Sequence, residues 1–183
     1  MKKFLRVVFV VMILLATMVL LTGCGSEDKD GKDSVKKEEL TFDGEEGTIT
    51  FKVPAGKGYK ISTDDEDLRT SREQGALVGK EFKIGIEFCD DYKYFFDSDL
   101  EKMKEARQDY DDYKEVKYGG VEGVQYFYGG YMCYDIMLPV ENNEKYYLAL
   151  TVYGPEDNEE SAKKTIENKE LLDILNSIEF EAK

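Results

Sequence analysis

Val121-Glu-Gly-Val-Gln-Tyr-Phe-Tyr128, the pair Gly129-Gly130, Tyr131-Met-Cys-Tyr-Asp-Ile-Met-Leu138, and after Glu141-Asn-Asn-Glu144 the run Lys145-Tyr-Tyr-Leu-Ala-Leu-Thr-Val-Tyr153 form one continuous stretch. Three segments rich in β-branched and aromatic residues, each of strand length, are separated by connections short enough for hairpins. They predict an antiparallel meander. Upstream, Phe82, Ile84, Ile86 and Phe88 alternate with Lys83, Gly85 and Glu87, the pattern of a half-buried strand in an antiparallel sheet. Ile49, Phe51 and Val53 alternate with Thr48, Thr50 and Lys52. After the Pro54-Ala-Gly56-Lys-Gly58 punctuation, Tyr59 and Ile61 alternate again, so two strands are expected about a turn.

Helical spacing interrupts these strands twice. Ser98 with Glu101 three residues on has the form of a capping box, and Leu100, Met103, Arg107, Tyr110 and Tyr113 recur at helical intervals up to Gly119-Gly120, predicting a helix over about 99–115. Ile166, Leu171, Leu172, Leu175 and Ile178 predict a second helix from Ser161 to Ser177, capped by Asn158 or Ser161, with a last short strand over 178–181. About six strands and two main helices, unevenly interleaved, place the domain in the α+β class, as a twisted antiparallel sheet packed with helices.

The amino terminus is of another kind. Lys2, Lys3 and Arg6 precede an apolar run from Val7 to Leu21, which ends in Leu21-Thr22-Gly23-Cys24. The run is shorter than the ~20 residues that cross a bilayer core. The residues after Cys24 (Gly25, Ser26, Glu27, Asp28) are polar and acidic, where a retained anchor has basic flanks. A core helix apolar on every side would need a larger protein to hide it. The segment resembles a bacterial lipoprotein signal peptide ending in a lipobox. That resemblance implies cleavage before Cys24, acylation of its sulfur, palmitate among the attached chains, and a protein held on the extracytoplasmic face of the cell membrane; two acyl chains suffice for stable anchoring. Residues 24–44, nearly all polar between Ser26 and Glu39, are expected to be the acylated cysteine and a flexible charged tether, with the α+β domain filling 45–183.

The 183 residues hold 25 basic and 39 acidic side chains, a formal net charge of −14. Three basic residues and no acidic ones precede Cys24, so the chain from Cys24 onward carries −17. Such a field repels nucleic acid and anionic headgroups, and no nucleic-acid partner is expected. Histidine is absent, which removes imidazole-based nucleophilic mechanisms and His-ligated zinc. No G-x-S-x-G, P-loop or G-x-G-x-x-G motif occurs. No catalytic residue, no metal site and no cofactor beyond the lipid on Cys24 is expected. With so many acids, a carboxylate pair at a workable distance carries no specificity. Asp97-Ser-Asp99-Leu-Glu101 has Lys102 where a calcium loop needs its glycine and Gln108 where it needs its glutamate, its acids suit a first helical turn, and Asp64-Asp65-Glu66-Asp67 and Asp109-Tyr-Asp111-Asp112 are likewise read structurally in preference to calcium ligands.

Cys89 and Cys133 are either bridged, if their strands are neighbours, or free and partly buried. Tyr126, Tyr128, Tyr131 and Tyr134 cluster about Gly129-Gly130, with Tyr146, Tyr147 and Tyr153 on the next strand; they serve either as bulky core members or as a binding surface for a protein or glycan partner.

Ile49-Thr-Phe51-Lys-Val53-Pro54, Gly58-Tyr59-Lys-Ile61, the capped helix, Gly119-Gly120-Val121-Glu-Gly123-Val124, Tyr146-Tyr147-Leu148-Ala-Leu150-Thr-Val152 and Leu171-Leu172-Asp-Ile174-Leu175-Asn-Ser177-Ile178-Glu-Phe180 follow one another in an order that resembles the PsbP-like family. The resemblance spans nearly all of 45–181. It implies an α/β/α sandwich and action by binding, without a shared catalytic motif; no site residue transfers. The sequence therefore leads to a membrane-anchored, extracytoplasmic, non-catalytic binding or assembly module, with a carboxylate-dependent enzyme on cell-wall glycans or peptides as the competing class.

Overall fold

The computed structural model describes residues 35–90, 99–140 and 146–183. Cys24, the signal-like segment, Ser98 and the connection 141–144 lie outside them. In chain order the described residues form β1 (Lys37–Asp43), β2 (Gly47–Pro54), β3 (Lys60–Ser62), β4 (Gly75–Val78), β5 (Lys83–Asp90), α1 (Leu100–Arg107), β6 (Lys114–Tyr118), β7 (Val121–Tyr128), β8 (Cys133–Val140), β9 (Tyr146–Tyr153), α2 (Glu159–Ile166), α3 (Lys169–Leu175) and β10 (Glu179–Ala182). Seven strands make one antiparallel sheet in the order β3-β4-β5-β9-β8-β7-β6, and β1-β2-β10 make a second.

The meander is present: β7 pairs with β8 and β8 with β9, with Ile136 opposite Leu150 and Val124 opposite Met137. β5 then docks antiparallel on the free side of β9, Ile86 facing Leu150. The strict period of two in these strands puts Ile84, Ile86, Phe88, Ile136, Leu138, Leu148, Leu150 and Val152 on one face of the large sheet. There they meet Ile49, Phe51 and Val53 of β2, Ala162 and Ile166 of α2, and Leu171, Ile174 and Leu175 of α3 in a single core. Full burial of each such side chain contributes about 1.5–3 kcal/mol. On the opposite face α1 packs on β7 and β8, and its Met103 joins a smaller cluster with Cys89, Val124, Tyr126, Met137 and Tyr147. Among the described residues no other helix covers that face.

Several expected boundaries are corrected. Lys37–Asp43, expected within a flexible tether, is β1, hydrogen-bonded along β2, and its Phe42 enters the main core. The apolar pattern there is only Leu40 and Phe42, too sparse to mark a strand by itself. β2 and β3 flank the turn containing Gly56 (φ 77) and Gly58 (φ 79) but belong to different sheets, so they are not a hairpin. The first helix stops at Arg107; Asp112 takes φ 53 and the chain reverses into β6, whose Val116 and Tyr118 alternate with charged neighbours. Asp99 caps α1 through bonds from Glu101 N at 2.9 Å and Lys102 N at 3.2 Å, while the expected cap, Ser98, lies outside the described residues. The last helix is two helices, because the Asn168 side chain accepts from Glu170 N (2.8 Å) and Leu171 N (3.3 Å) and starts a new one. β1, β4 and β6, outside the expected elements, and the division of the last helix bring the described residues to ten strands and three helices, with β10 close to the short strand expected over 178–181.

Candidate functional site

The face of the large sheet that α1 partly covers carries ionic rows among its apolar ones. Register places Gly85, Thr151, Asp135 and Tyr126 abreast across β5, β9, β8 and β7, and Glu87, Ala149, Met137 and Val124 abreast in the next row. Two carboxylates thus stand on central strands, one on either side of β9, where the short Ala149 side chain leaves a hollow. The result is a cavity of about 180 Å³ floored by Glu87, Ala149, Thr151, Asp135 and Met137, with Arg72 and Arg107 in its wall and Cys89, Tyr110, Tyr126, Tyr128 and Tyr147 completing it.

Each ionic group is positioned by identifiable contacts. Asp135 accepts from Thr151 Oγ1 at 3.0 Å and from the Tyr126 hydroxyl at 3.4 Å. Burial pushes its carboxyl above the ordinary aspartate value, against the opposing pull of these bonds and of Arg72 and Arg107. Glu87 is likewise pushed up by burial, opposed first by Arg72, whose Nε stands 3.8 Å from Glu87 Oε2. Arg107 closes α1. Its Nε donates to the Tyr126 hydroxyl at 3.2 Å, and its guanidinium carbon lies 5.3 Å from the Tyr110 ring centre and 5.5 Å from that of Tyr126. The Tyr110 and Tyr126 rings stack at 4.7 Å, tilted by 56°.

Arg72 reaches the cavity because the residues after it are fastened to the sheet. Glu73, 6% exposed, accepts from the Tyr153 hydroxyl at 2.5 Å and from Arg69 N at 2.9 Å. Gln74 N donates to Ile86 O at 2.8 Å, and its side-chain oxygen accepts from Phe88 N at 3.2 Å. The Glu73 carboxylate lies across Gly85, where a Cβ would come within 2.5 Å of Glu73 Cδ. Glycine at 85 is therefore what lets the acidic segment 64–73 close against the sheet.

The expected tyrosine surface is divided. Tyr126, 4% exposed, faces the cavity and Tyr128 lines it. Tyr131, 48% exposed, sits beyond β7 with its ring 5.7 Å from Tyr128. Tyr134 points to the opposite face, 2% exposed within the main core, and its hydroxyl donates to Asp112 Oδ2 at 2.7 Å. One surface made of all four does not exist, because residues 126 and 128 have the opposite parity from Tyr134 in the β7–β8 register. The candidate disulfide is also corrected. Cys89 stands opposite Tyr147 and Cys133 opposite Tyr153, at the two ends of β9, about 20 Å apart at ~3.4 Å per residue. Bridging requires Cα atoms within about 7 Å. Both thiols are free and buried, and burial pushes both up.

Cys24 lies outside the described residues. Among the described residues no group of three His, Cys, Asp or Glu side chains is placed to hold a metal ion, and no helix is long and apolar enough to cross a membrane. The residues that sequence reasoning missed as a site are Arg72, Arg107, Glu87 and Asp135. A signal existed for the acids: each interrupts a central strand on the face where its row neighbours are apolar or small. Nothing local marks the two arginines, which arrive from a loop and a helix end. Comparison with models of known protein families and with curated proteins finds no match.

Proposed function

We propose that this protein is a lipid-anchored, extracytoplasmic binding module of PsbP-like type, non-catalytic, which presents the α1-side face of its seven-stranded sheet to a partner at the cell envelope. The observation that carries the reading is the charge-balanced hollow around Ala149, two carboxylates and two guanidiniums walled by tyrosines. Helices on both faces of an antiparallel sheet are in keeping with the α/β/α layering that the resemblance implies. The lipid anchor rests on residues 1–24 alone.

Two experiments test the two halves. Cys24→Ala should leave an unprocessed precursor that no longer incorporates labelled palmitate; unchanged labelling defeats the anchor. A photoreactive residue placed at Tyr128 or Tyr131 should yield reproducible cross-linked species in intact cells that the same probe at Glu181, on β10, does not; equal yields defeat the binding face.

A second reading, an enzyme on cell-wall glycans or peptides, is favoured by Glu87 and Asp135 sharing one hollow. Acid–base pairs work by having their proton affinities driven apart. Here burial raises both, and each already has a partner, which supports binding over catalysis. Release of soluble fragments from purified peptidoglycan, abolished by Glu87→Gln, would instead support the enzyme.

A further inference from the structure

We propose that the hollow around Ala149 is a site for a small zwitterion, a short amino acid whose ammonium donates to Asp135 while its carboxylate faces the Arg107 guanidinium. The geometry is set by one shared hydroxyl. Arg107 Nε donates to Tyr126 at 3.2 Å, and the same hydroxyl faces Asp135 Oδ2 at 3.4 Å. A cation and an anion are thereby held two hydrogen-bond lengths apart, about 6 Å, on one wall. A ligand carrying the opposite charges in the opposite order lies across this pair with both ends matched. A carboxylate offers about four acceptor positions, and Asp135 gives one to Thr151 and one, at long range, to Tyr126, so it retains capacity for an ammonium.

Charge balance selects against simpler ligands. A lone anion meets Glu87 and Asp135, and a lone cation meets Arg72 and Arg107; among charged ligands, one bearing both charges avoids repulsion from half of the lining. Size agrees: about 180 Å³ is comparable to an apolar cavity of roughly 150 Å³ that takes up benzene, and so suits the bulk of a short amino acid. Tyr110 and Tyr126, packed ring against ring, supply the aromatic part of the lining. Burial pushes the Asp135 carboxyl up, and an arriving ammonium acts in the opposite direction by favouring the carboxylate.

The ligand class rests on reading this face as the binding face, and one set of measurements separates the two. Isothermal titration calorimetry of the purified full-length protein in detergent is run with glycine, β-alanine and γ-aminobutyrate, and with acetate and methylammonium as the two halves. At least one of the three amino acids should bind ten-fold or more tightly than either half, and Asp135→Asn and Arg107→Gln should each weaken that binding at least ten-fold. Tyr126→Phe, which keeps the ring and removes only the shared hydroxyl, should weaken it as well. Absence of heat from all three amino acids, equal binding by acetate or methylammonium, or wild-type affinity in all three variants overturns the proposal. If calorimetry is silent while cross-links from Tyr128 persist, the zwitterion falls and the binding face stands; if both are lost, both fall.

Discussion

Gly85→Ala tests the fastening of the segment 64–73 to the sheet, because its effect should pass through a single side chain. The new Cβ would lie 2.5 Å from Glu73 Cδ, 2.6 Å from Oε1 and 3.0 Å from Cγ. The Glu73 carboxylate must move, and it cannot do so without loosening its bonds from the Tyr153 hydroxyl and Arg69 N. Hydrogen bonds to a charged group contribute about 1.5–3 kcal/mol, so losing most of this pair costs about 3 kcal/mol. Alanine in a strand returns about 0.5–1 kcal/mol of backbone entropy relative to glycine. The net loss is about 2–3 kcal/mol, a fall in melting temperature of about 5–10 °C for a domain of this size. Glu73→Ala alone should cost a similar amount, since it leaves the Tyr153 hydroxyl buried without its acceptor. The double variant discriminates. With Glu73 truncated, the Cβ at 85 enters vacated space, and the double variant should be no less stable than Glu73→Ala alone, a coupling of about 2 kcal/mol. Urea denaturation of the four proteins measures it. Costs that add to within about 0.5 kcal/mol would refute the claim that Glu73 is what glycine at 85 accommodates.

Asp135→Asn should flatten one component of the pH dependence of stability. Burial holds the Asp135 carboxyl above its unfolded value of 3.8, so its contribution is fully present below that value and is lost as pH rises through the folded one; the asparagine variant should gain relative to wild type between pH 4 and 7, and parallel urea midpoints across that range would count against it. Cys89 and Cys133 should be silent toward a thiol reagent in the native protein and both react on unfolding, with identical gel mobility with and without reductant; native reaction at either site, or a mobility shift, contradicts the buried free thiols.

What was legible in the sequence was whatever depends on period alone. β5 alternates through Ile84, Ile86 and Phe88, while β7, β8 and β9 are strand-length apolar and aromatic runs joined by short connections, and the structure sets all four side by side in the large sheet. Elements set by pairing were not legible. β1 has two apolar residues and exists because β2 offers it an edge; β4 is four residues long and completes the sheet between β3 and β5. The helix continued past Arg107 on paper because Tyr110 and Tyr113 keep its spacing. In the fold, Tyr110 N bonds back to Arg107 O, and both tyrosines meet the sheet-face cluster or its pocket from non-helical backbone. At the site, parity placed Glu87 and Asp135 on the less apolar face. It did not pair either of them with an arginine, because Arg72 and Arg107 come from segments whose approach to the sheet is a tertiary fact.

The placement of those two acids is the strongest reason to look for function on this face. Seen from β9, the rows around Ala149 tolerate apolar neighbours: Met137 and Val124 lie abreast of Glu87, and Tyr126 and Thr151 abreast of Asp135. A methionine or leucine at either position would bury more apolar surface and remove a carboxyl that burial already disfavours. Replacing a buried ionic group by a well-packed apolar one is often neutral or stabilising by about 1–4 kcal/mol. Stability alone therefore gives no reason for two carboxylates on central strands, nor for Arg72 and Arg107 to be brought over them. The main core shows what the same strands do without that demand: Ile84, Ile86, Leu138, Leu148 and Leu150 fill the other face, with no charged side chain among them. The ionic rows are the departure from packing logic, and the zwitterion proposed for the hollow would add a partner to Asp135 and Arg107 beside the existing Arg72–Glu87 contact.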